Sequence, residues 1–404
     1  MRVIVVGAGL GGLTLAHGLR RAGIDVAVYE QDRKEGRPQG VSLHVDERGT
    51  AALRECLPPG HISMAEATMG RPRERTLSLS EVDGQLVVTR TQPSDGMEGR
   101  ARPGRQTHRP LLRAVLLTGL EDTVRFGARF TRFDRQADGT ARVWFADGSS
   151  DTADVLVGAD GIGSAVRRQY LPDARVVDTG KRMLMGATPL GAVADAGLLR
   201  LIGDSPASAQ VRGTMIALGV LRFTESPAAA RQQWLPALHS RAVDDAEDYV
   251  MWALPVTQEW LGSAGSPASV TRRAQALAAN LHPALRQVID NPWPDMTVAL
   301  RIGMIPPMQA WPASPVTLIG DAIHLAPGFG GNLAMQDAHR LRDVLVEAAG
   351  GQRDLLAAIG AYEDVMRRDS FPASDSRIRT TRASPDLVET GATPVGADAA
   401  GPGA

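Results

Sequence analysis

The sequence predicts an α/β fold built on a parallel sheet, with a second, β-sheet-based layer inserted into it. Three observations carry that expectation. The chain opens with "RVIVVGAGLGGLTLAHGLRRAGIDVAVYE": an apolar run, a glycine-punctuated turn, a helical pattern and a second apolar run, a βαβ unit of about 30 residues. Two later apolar runs, "ADVLVGAD" (153–160) and "PVTLIGD" (315–321), each end in an acid beside a glycine. Between 176 and 310 the pattern changes, and seven of the thirteen methionines fall there.

Taken in order, "RVIVV" (2–6) is a continuous β-branched run, as expected of a strand buried on both faces. "GLTLAHGLRRAG" has helical period and stops at Gly23, and "DVAVYE" is the second strand. Residues 49–57 read as helix. Residues 74–92 alternate and turn at Asp83-Gly84, a hairpin. "RPLLRAVLLTGL" (109–120) is a helix, and the segment after it is strands broken by Asp-Gly turns, ending in "ADVLVGAD". In 176–310, "KRMLMGATPL", "TMIALGVLRF" and "DYVMWALP" read as strands and "ASVTRRAQALAANL" as helix, so this layer has its own sheet. A strand (315–319) and helices near 332–348 and 353–368 return to the first style. The expected division is one domain from 1–73, 100–175 and 301–382 and another from 74–99 and 176–300, with a disordered tail over 383–404 that has no apolar period.

Composition narrows the function. The 404 residues are 43% hydrophobic, enough for a sizeable core, and the formal charge of -1 gives no general case for nucleic acid or anionic membrane. The single cysteine, Cys56, rules out a disulfide framework within one chain and fits a cytoplasmic protein. The eight histidines lack metal-ligand spacing, so no metal is expected. No apolar run is long enough to predict a membrane span, and the glycine spacing near the start argues against reading it as a signal peptide.

The first motif is Gly7-x-Gly9-x-x-Gly12 between a strand and a helix, with Leu10 and Gly11 inside it. Glycines there permit a tight turn and close approach of backbone to a pyrophosphate, and the helix start offers N–H groups. Glu30, followed by Gln31, stands at the end of the second strand, where a carboxylate accepts from an adenosine ribose. That acid suits NAD or FAD better than NADP. The second motif is Asp160-Gly161 leading into a helix with Arg167 and Arg168, a corner that would serve equally as a plain strand–turn–helix joint. The third is "VTLIGDAIHLAPGFGGNLAMQDA" (316–338). Asp321 suits a ribityl hydroxyl, the bare loop admits a flat ring, and the helix start near Asn332 favours negative charge on a reduced flavin. The ligand that fits is FAD, its adenine half at 7–30 and its ring half near 320–333.

In this order the motifs resemble the FAD-dependent aromatic hydroxylases, the single-component flavin monooxygenases that include para-hydroxybenzoate hydroxylase and the tetracycline-inactivating enzymes. The resemblance is specific at "GAGLGGLTLA", "VLVGADGIGSAVR" and "TLIGDAIHLAP" and extends in motif order to about residue 370. It implies a Rossmann-like FAD domain, with Arg109 of "HRPLLRAVLL", Arg37, Asp160, Gly320, Asp321, Pro327, Gly331 and Asn332 as further FAD contacts. It also implies the reaction: NAD(P)H reduces FAD, O2 adds at flavin C4a, and the hydroperoxide hydroxylates or epoxidises an aromatic or polyketide-like molecule. One departure is the loop. The family reads P-x-x-G-x-G-x-N, whereas here Pro327-Gly-Phe-Gly-Gly331 meets Asn332 at once.

The middle segment would roof the flavin. Met183, Met185, Met215, Met251 and Trp252 are its candidate substrate contacts, although ordinary core is the simpler reading of each. Arg212, Arg222 and Arg301 are candidates for an anionic substrate, with surface solvation the simpler reading. His324 reads as structural. No catalytic residue stands out. The shortened loop leaves open a flavoprotein with structural FAD that works as a cyclase or isomerase, and a plain NAD dehydrogenase remains as the third reading.

Overall fold

The computed structural model describes residues 1–34, 40–97, 102–325 and 330–382, with 194–196 and 372–382 as backbone only. The strands Arg2–Val6, Asp25–Glu30, Val124–Phe126, Val155–Gly158 and Val316–Leu318 form one five-stranded sheet, paired in parallel throughout. Val3, Ile4 and Val5 are fully buried, as a β-branched run covered on both faces must be.

Register is what builds the site. Val6 pairs with Gly158, and Gly158 with Leu318. Three strands far apart in sequence therefore stop at one level, and the turns that follow them leave from one edge. Ligands of such sheets bind at that carboxyl edge. The helices Leu10–Arg21 and Gly330–Ala349 pack closely enough that a Cβ on Gly11 would stand 2.9 Å from the Ala334 carbonyl. Phe130–Arg135, Ala141–Phe145 and Ser150–Ala153 form the expected antiparallel meander. The hairpin is Arg75–Val82 with Gln85–Pro93, turning at Asp83 and Gly84, both at positive φ.

The second sheet has seven strands, in the order Val298–Met304, Val177–Pro189, Tyr249–Thr257, Thr214–Leu221, Ala207–Val211, Arg75–Val82 and Gln85–Pro93. The division expected between 300 and 301 falls inside the strand Val298–Met304, because pairing with Val177–Pro189 holds that strand in the second sheet to its end. The residues that alternate inward, such as Leu184, Leu218, Trp252 and Leu254, join the helices Pro267–Ala278 and Pro283–Asp290 in one core. On the opposite face Ala187, Leu221 and Tyr249 pack with Val41.

A small sheet of Ser42–Asp46, Pro72–Arg73 and Gly104–His108 was not foreseen, nor was the helix Pro59–Ala67. The last helix is longer than expected, running Leu355–Arg382. The tail from Ala383, Arg37 and Pro327 all lie outside the described residues. Among the described residues, no helix is long and apolar enough to cross a membrane.

Candidate functional site

The site begins at the turn after the first strand. Gly7 has φ +111°, and a Cβ there would sit 2.3 Å from the Ala159 carbonyl oxygen. A Cβ on Gly12 would lie 2.1 Å from the Gly7 carbonyl oxygen. Both positions are closed to any side chain. Gly9 is the opposite case: nothing lies within 4 Å of its Cβ position, and it caps the helix Leu10–Arg21 without a side-chain bond. Packing therefore dictates two of the motif's glycines, while the third opens onto free space at a helix N-terminus, the arrangement a pyrophosphate uses.

Glu30 faces this turn. Its Oε2 accepts from the Ala8 N–H at 2.8 Å and its Oε1 from the Asp32 N–H at 2.8 Å. An ionised carboxylate has about four lone-pair sites, so acceptor capacity remains for a ribose hydroxyl. Gln31 is exposed beside it. Arg113, which the sequence did not single out, reaches the same place. It donates from Nε to the Ala8 carbonyl at 3.3 Å and from Nη1 to that of Lys34 at 3.2 Å. Burial pushes its pKa down, while Glu30 and Asp32 oppose the shift. Helical spacing from Arg109 was the signal available for it.

Asp160 sits at the second strand end. Its Oδ2 accepts from the Ala165 and Val166 N–H groups at 2.7 and 3.2 Å, while Oδ1 is buried with no partner among the described residues. Burial raises this carboxyl, and its bonds to Ser164, Val166 and Ala165 pull the other way. Arg167 ties this corner to the third motif, donating to the Ala322 carbonyl at 2.7 Å.

At the third strand end Gly320 has φ +58°, and a Cβ would strike that of Ala334 at 2.6 Å. Asp321 opens onto the cleft although it lies deep among protein atoms. Burial raises its pKa, and His324 and Arg109 work to lower it. Arg109 is thereby placed within electrostatic reach of Asp321, and its backbone N–H is fixed to the Val41 carbonyl at 2.8 Å. Gly331 meets the first motif directly, its Cβ position standing 3.6 Å from Leu10 Cδ1.

The side chain of Asn332 is engaged within the protein. Its Oδ1 accepts from the Asp46 N–H at 3.0 Å and its Nδ2 donates to the His44 carbonyl at 2.7 Å. The amide is spent clipping the helix start to the strand Ser42–Asp46, leaving the backbone as its route to a ligand. Behind the turn, His324 Nε2 meets Asp337 Oδ2 at 2.6 Å, and the same oxygen accepts from the Gly320 N–H at 2.9 Å. Both side chains are fully buried. Burial works to lower the His324 pKa, but Asp337 and then Asp321 outweigh it and raise it. His324 is structural in that sense: its bond to Asp337 holds the turn from behind.

Across the cleft, Met183, Met185, Met215 and Met251 are half-buried on the second sheet's open face. Trp252 does not join them. Neighbours on a strand point to opposite faces, so with Met251 toward the cleft Trp252 must point away. It is fully buried in the helix-side core, where a Cβ on Gly186 would lie 2.2 Å from its ring. Arg212, Arg222 and Arg301 pair with Glu81, Asp204 and Asp178 at 3.0, 2.9 and 3.1 Å.

Three features thus test whether FAD fits: an open cradle at Gly9, a buried lone acceptor on Asp160, and an acid open to the cleft beside Arg109. All three suit it. Comparisons with known proteins agree. The family described as FAD binding domain matches residues 1–196 and 307–364. The dual O-methyltransferase/FAD-dependent monooxygenase elcB of Phaeosphaeria nodorum is 30% identical over 91% of this chain, which spans 44% of that relative's length. The FAD-dependent urate hydroxylase of Klebsiella pneumoniae is 29% identical over 90% of the chain and 85% of its own length. The structure of Klebsiella pneumoniae HpxO complexed with FAD and uric acid superposes with a TM-score of 0.71 at 26% identity, covering 95% of this chain and 91% of that one.

Proposed function

We propose that this chain, which belongs to the FAD-binding family of FAD-dependent aromatic hydroxylases, is a monooxygenase that uses NAD(P)H and O2 to hydroxylate or epoxidise an aromatic or polyketide-like small molecule in the cytoplasm. The observation that carries this reading is the convergence of the Gly7–Gly12 turn, Asp160 and Gly320-Asp321 at one sheet edge, facing an apolar methionine-bearing sheet.

When bound, FAD would supply the redox chemistry. The chain supplies position, dryness and charge. Gly9 and the first N–H groups of Leu10–Arg21 would receive the pyrophosphate and Glu30 the ribose, with Arg113 bracing the turn at Ala8. Asp160 Oδ1 and Asp321 would accept from hydroxyls along the ribityl chain, with Arg109 within electrostatic reach of Asp321. The N-terminus of Gly330–Ala349 favours negative charge on the ring's polar edge. The expected contacts of Arg37 and Pro327 belong to the same proposal. Met183, Met185, Met215 and Met251 offer adaptable thioethers to a flat substrate and keep water from the reacting face.

The test is substrate-dependent turnover of the FAD-loaded protein with nicotinamide and oxygen both followed. The proposal expects oxidation of NAD(P)H, with oxygen consumed and the product heavier by one oxygen atom. Turnover that consumes neither would make the flavin a scaffold and overturn it.

A further inference from the structure

Where the small sheet meets the second sheet, the protein holds a buried cation. Arg73, in the short strand Pro72–Arg73, is 6% exposed. Among the described residues its side chain makes one hydrogen bond, from Nη2 to the Val220 carbonyl at 2.7 Å. Among the described residues no carboxylate lies within ion-pair distance of it. Asp204 acts on it from further off, but that acid is engaged by Arg222 at 2.9 Å. Burial pushes the Arg73 pKa down only to about 10, so it stays a cation at neutral pH. Buried cations are normally paired, because leaving water without a counter-charge is costly.

The surroundings say where its partner belongs. A Cβ on Gly219 would stand 3.4 Å from Arg73 Nη2 and 3.3 Å from the Met251 methyl. Gly219 pairs with Met251, and both lie on the cleft face of the second sheet. The guanidinium therefore lies over the small residues of the methionine-bearing face. Two more polar groups meet it there. The Tyr249 phenol, held at 3.3 Å from the Thr107 carbonyl, is flanked by Arg73 and by Ser42. The Ser42 hydroxyl is buried beside that phenol. His108 closes the same end of the cleft. Its Nδ1 accepts from the Leu111 N–H at 3.3 Å, which puts the proton of the neutral ring on Nε2, and Nε2 is buried with no partner among the described residues. Tyr249, Phe223 and Trp293 surround that imidazole with ring centroids 5.8 to 6.5 Å away.

We infer that Arg73, with Ser42, Tyr249 and His108 about it, forms an anion subsite that binds a carboxylate or phenolate carried by a flat aromatic substrate lying along the methionine face. This deepens the proposed monooxygenase reading and rests on it. The cation would supply the charge that selects an ionised substrate. The buried Ser42 hydroxyl and the His108 Nε2–H would donate to its oxygens, and the ring cluster would set the edge of its aromatic body.

The test titrates FAD-loaded enzyme with 3-hydroxy-2-naphthoate and with the neutral 3-hydroxy-2-naphthamide, reading the flavin spectrum. The inference expects the acid to bind at least about ten-fold tighter than the amide. In Arg73→Gln that preference should fall to within about two-fold, the amide affinity holding and Arg73→Lys recovering part of the loss. Equal binding of acid and amide by the unaltered enzyme overturns the inference without needing any variant, as does binding of neither. An Arg73→Gln enzyme that keeps the full preference overturns it too, making Arg73 a packing residue. A chain that takes up no FAD would instead sink the flavoenzyme reading, and this inference with it.

Discussion

Asp337→Asn perturbs the back of the flavin turn while keeping its shape. One carboxylate oxygen, fully buried, serves both the Gly320 N–H at 2.9 Å and His324 Nε2 at 2.6 Å. The amide keeps one acceptor and loses the charge. Breaking one side of a buried ion pair costs about 3–5 kcal/mol. For a chain of 404 residues, with unfolding entropy of about 2.1 cal/mol/K per residue, that is a fall in Tm of roughly 4–6 °C. The sign with pH is also fixed. His324 has its folded pKa raised, so its contribution is fully present below the ordinary value of 6.5 and is lost as pH climbs through the raised one. The deficit of the variant should therefore be greatest on the acid side of 6.5 and shrink as pH rises. Thermal unfolding of FAD-loaded protein across that range, with flavin release read in the same samples, measures it. A variant within about 1 °C of the parent at every pH, with its flavin retained, would show that the pair does not hold the turn.

Gly12→Ala forces a Cβ to 2.1 Å from the Gly7 carbonyl, so the purified variant should carry little or no FAD, as read from absorbance after desalting. Trp252→Ala should cost roughly 3–5 kcal/mol in unfolding experiments through the cavity it leaves, while Met251→Ala should cost less stability and raise KM instead. The two effects exchanged would reverse the assignment of faces. His17 is buried against the Leu116 carbonyl at 2.8 Å, and burial pushes its pKa down to about 4. A folded pKa below the unfolded one means stability is lost as pH falls from about 6.5 toward 4, by up to roughly 3 kcal/mol. His17→Gln should flatten that part of the stability curve.

The first sheet was legible because its signals are local. A β-branched run, a spaced set of glycines and an acid at the next strand end fit within one short stretch, and "TLIGDA" repeats the logic. What brings them together is the register Val6–Gly158–Leu318, a property of pairing that no single segment displays. The second sheet was legible as strands but not as faces. Met251 and Trp252 are equally apolar, and only the position of the covering helices decides which of them meets the cleft. Arg73 was invisible for the same reason. In sequence it is one arginine among "RPRER", and its burial follows from a strand pairing with Gly104 and a bond to Val220, far away along the chain. That the amide of Asn332 would be claimed by the strand Ser42–Asp46 was not legible, because that strand gave no clear signal of its own.

The account depends on one nucleotide being gripped from both ends of the chain, and a crystal structure of the purified protein with FAD tests that most directly. It should show the pyrophosphate against Gly9 and the start of the helix Leu10–Arg21, with the ribityl chain and ring running past Asp160 to Asp321 and Gly331. FAD absent under saturating conditions, or bound at the glycine turn with its ring directed away from Asp321, would contradict the account.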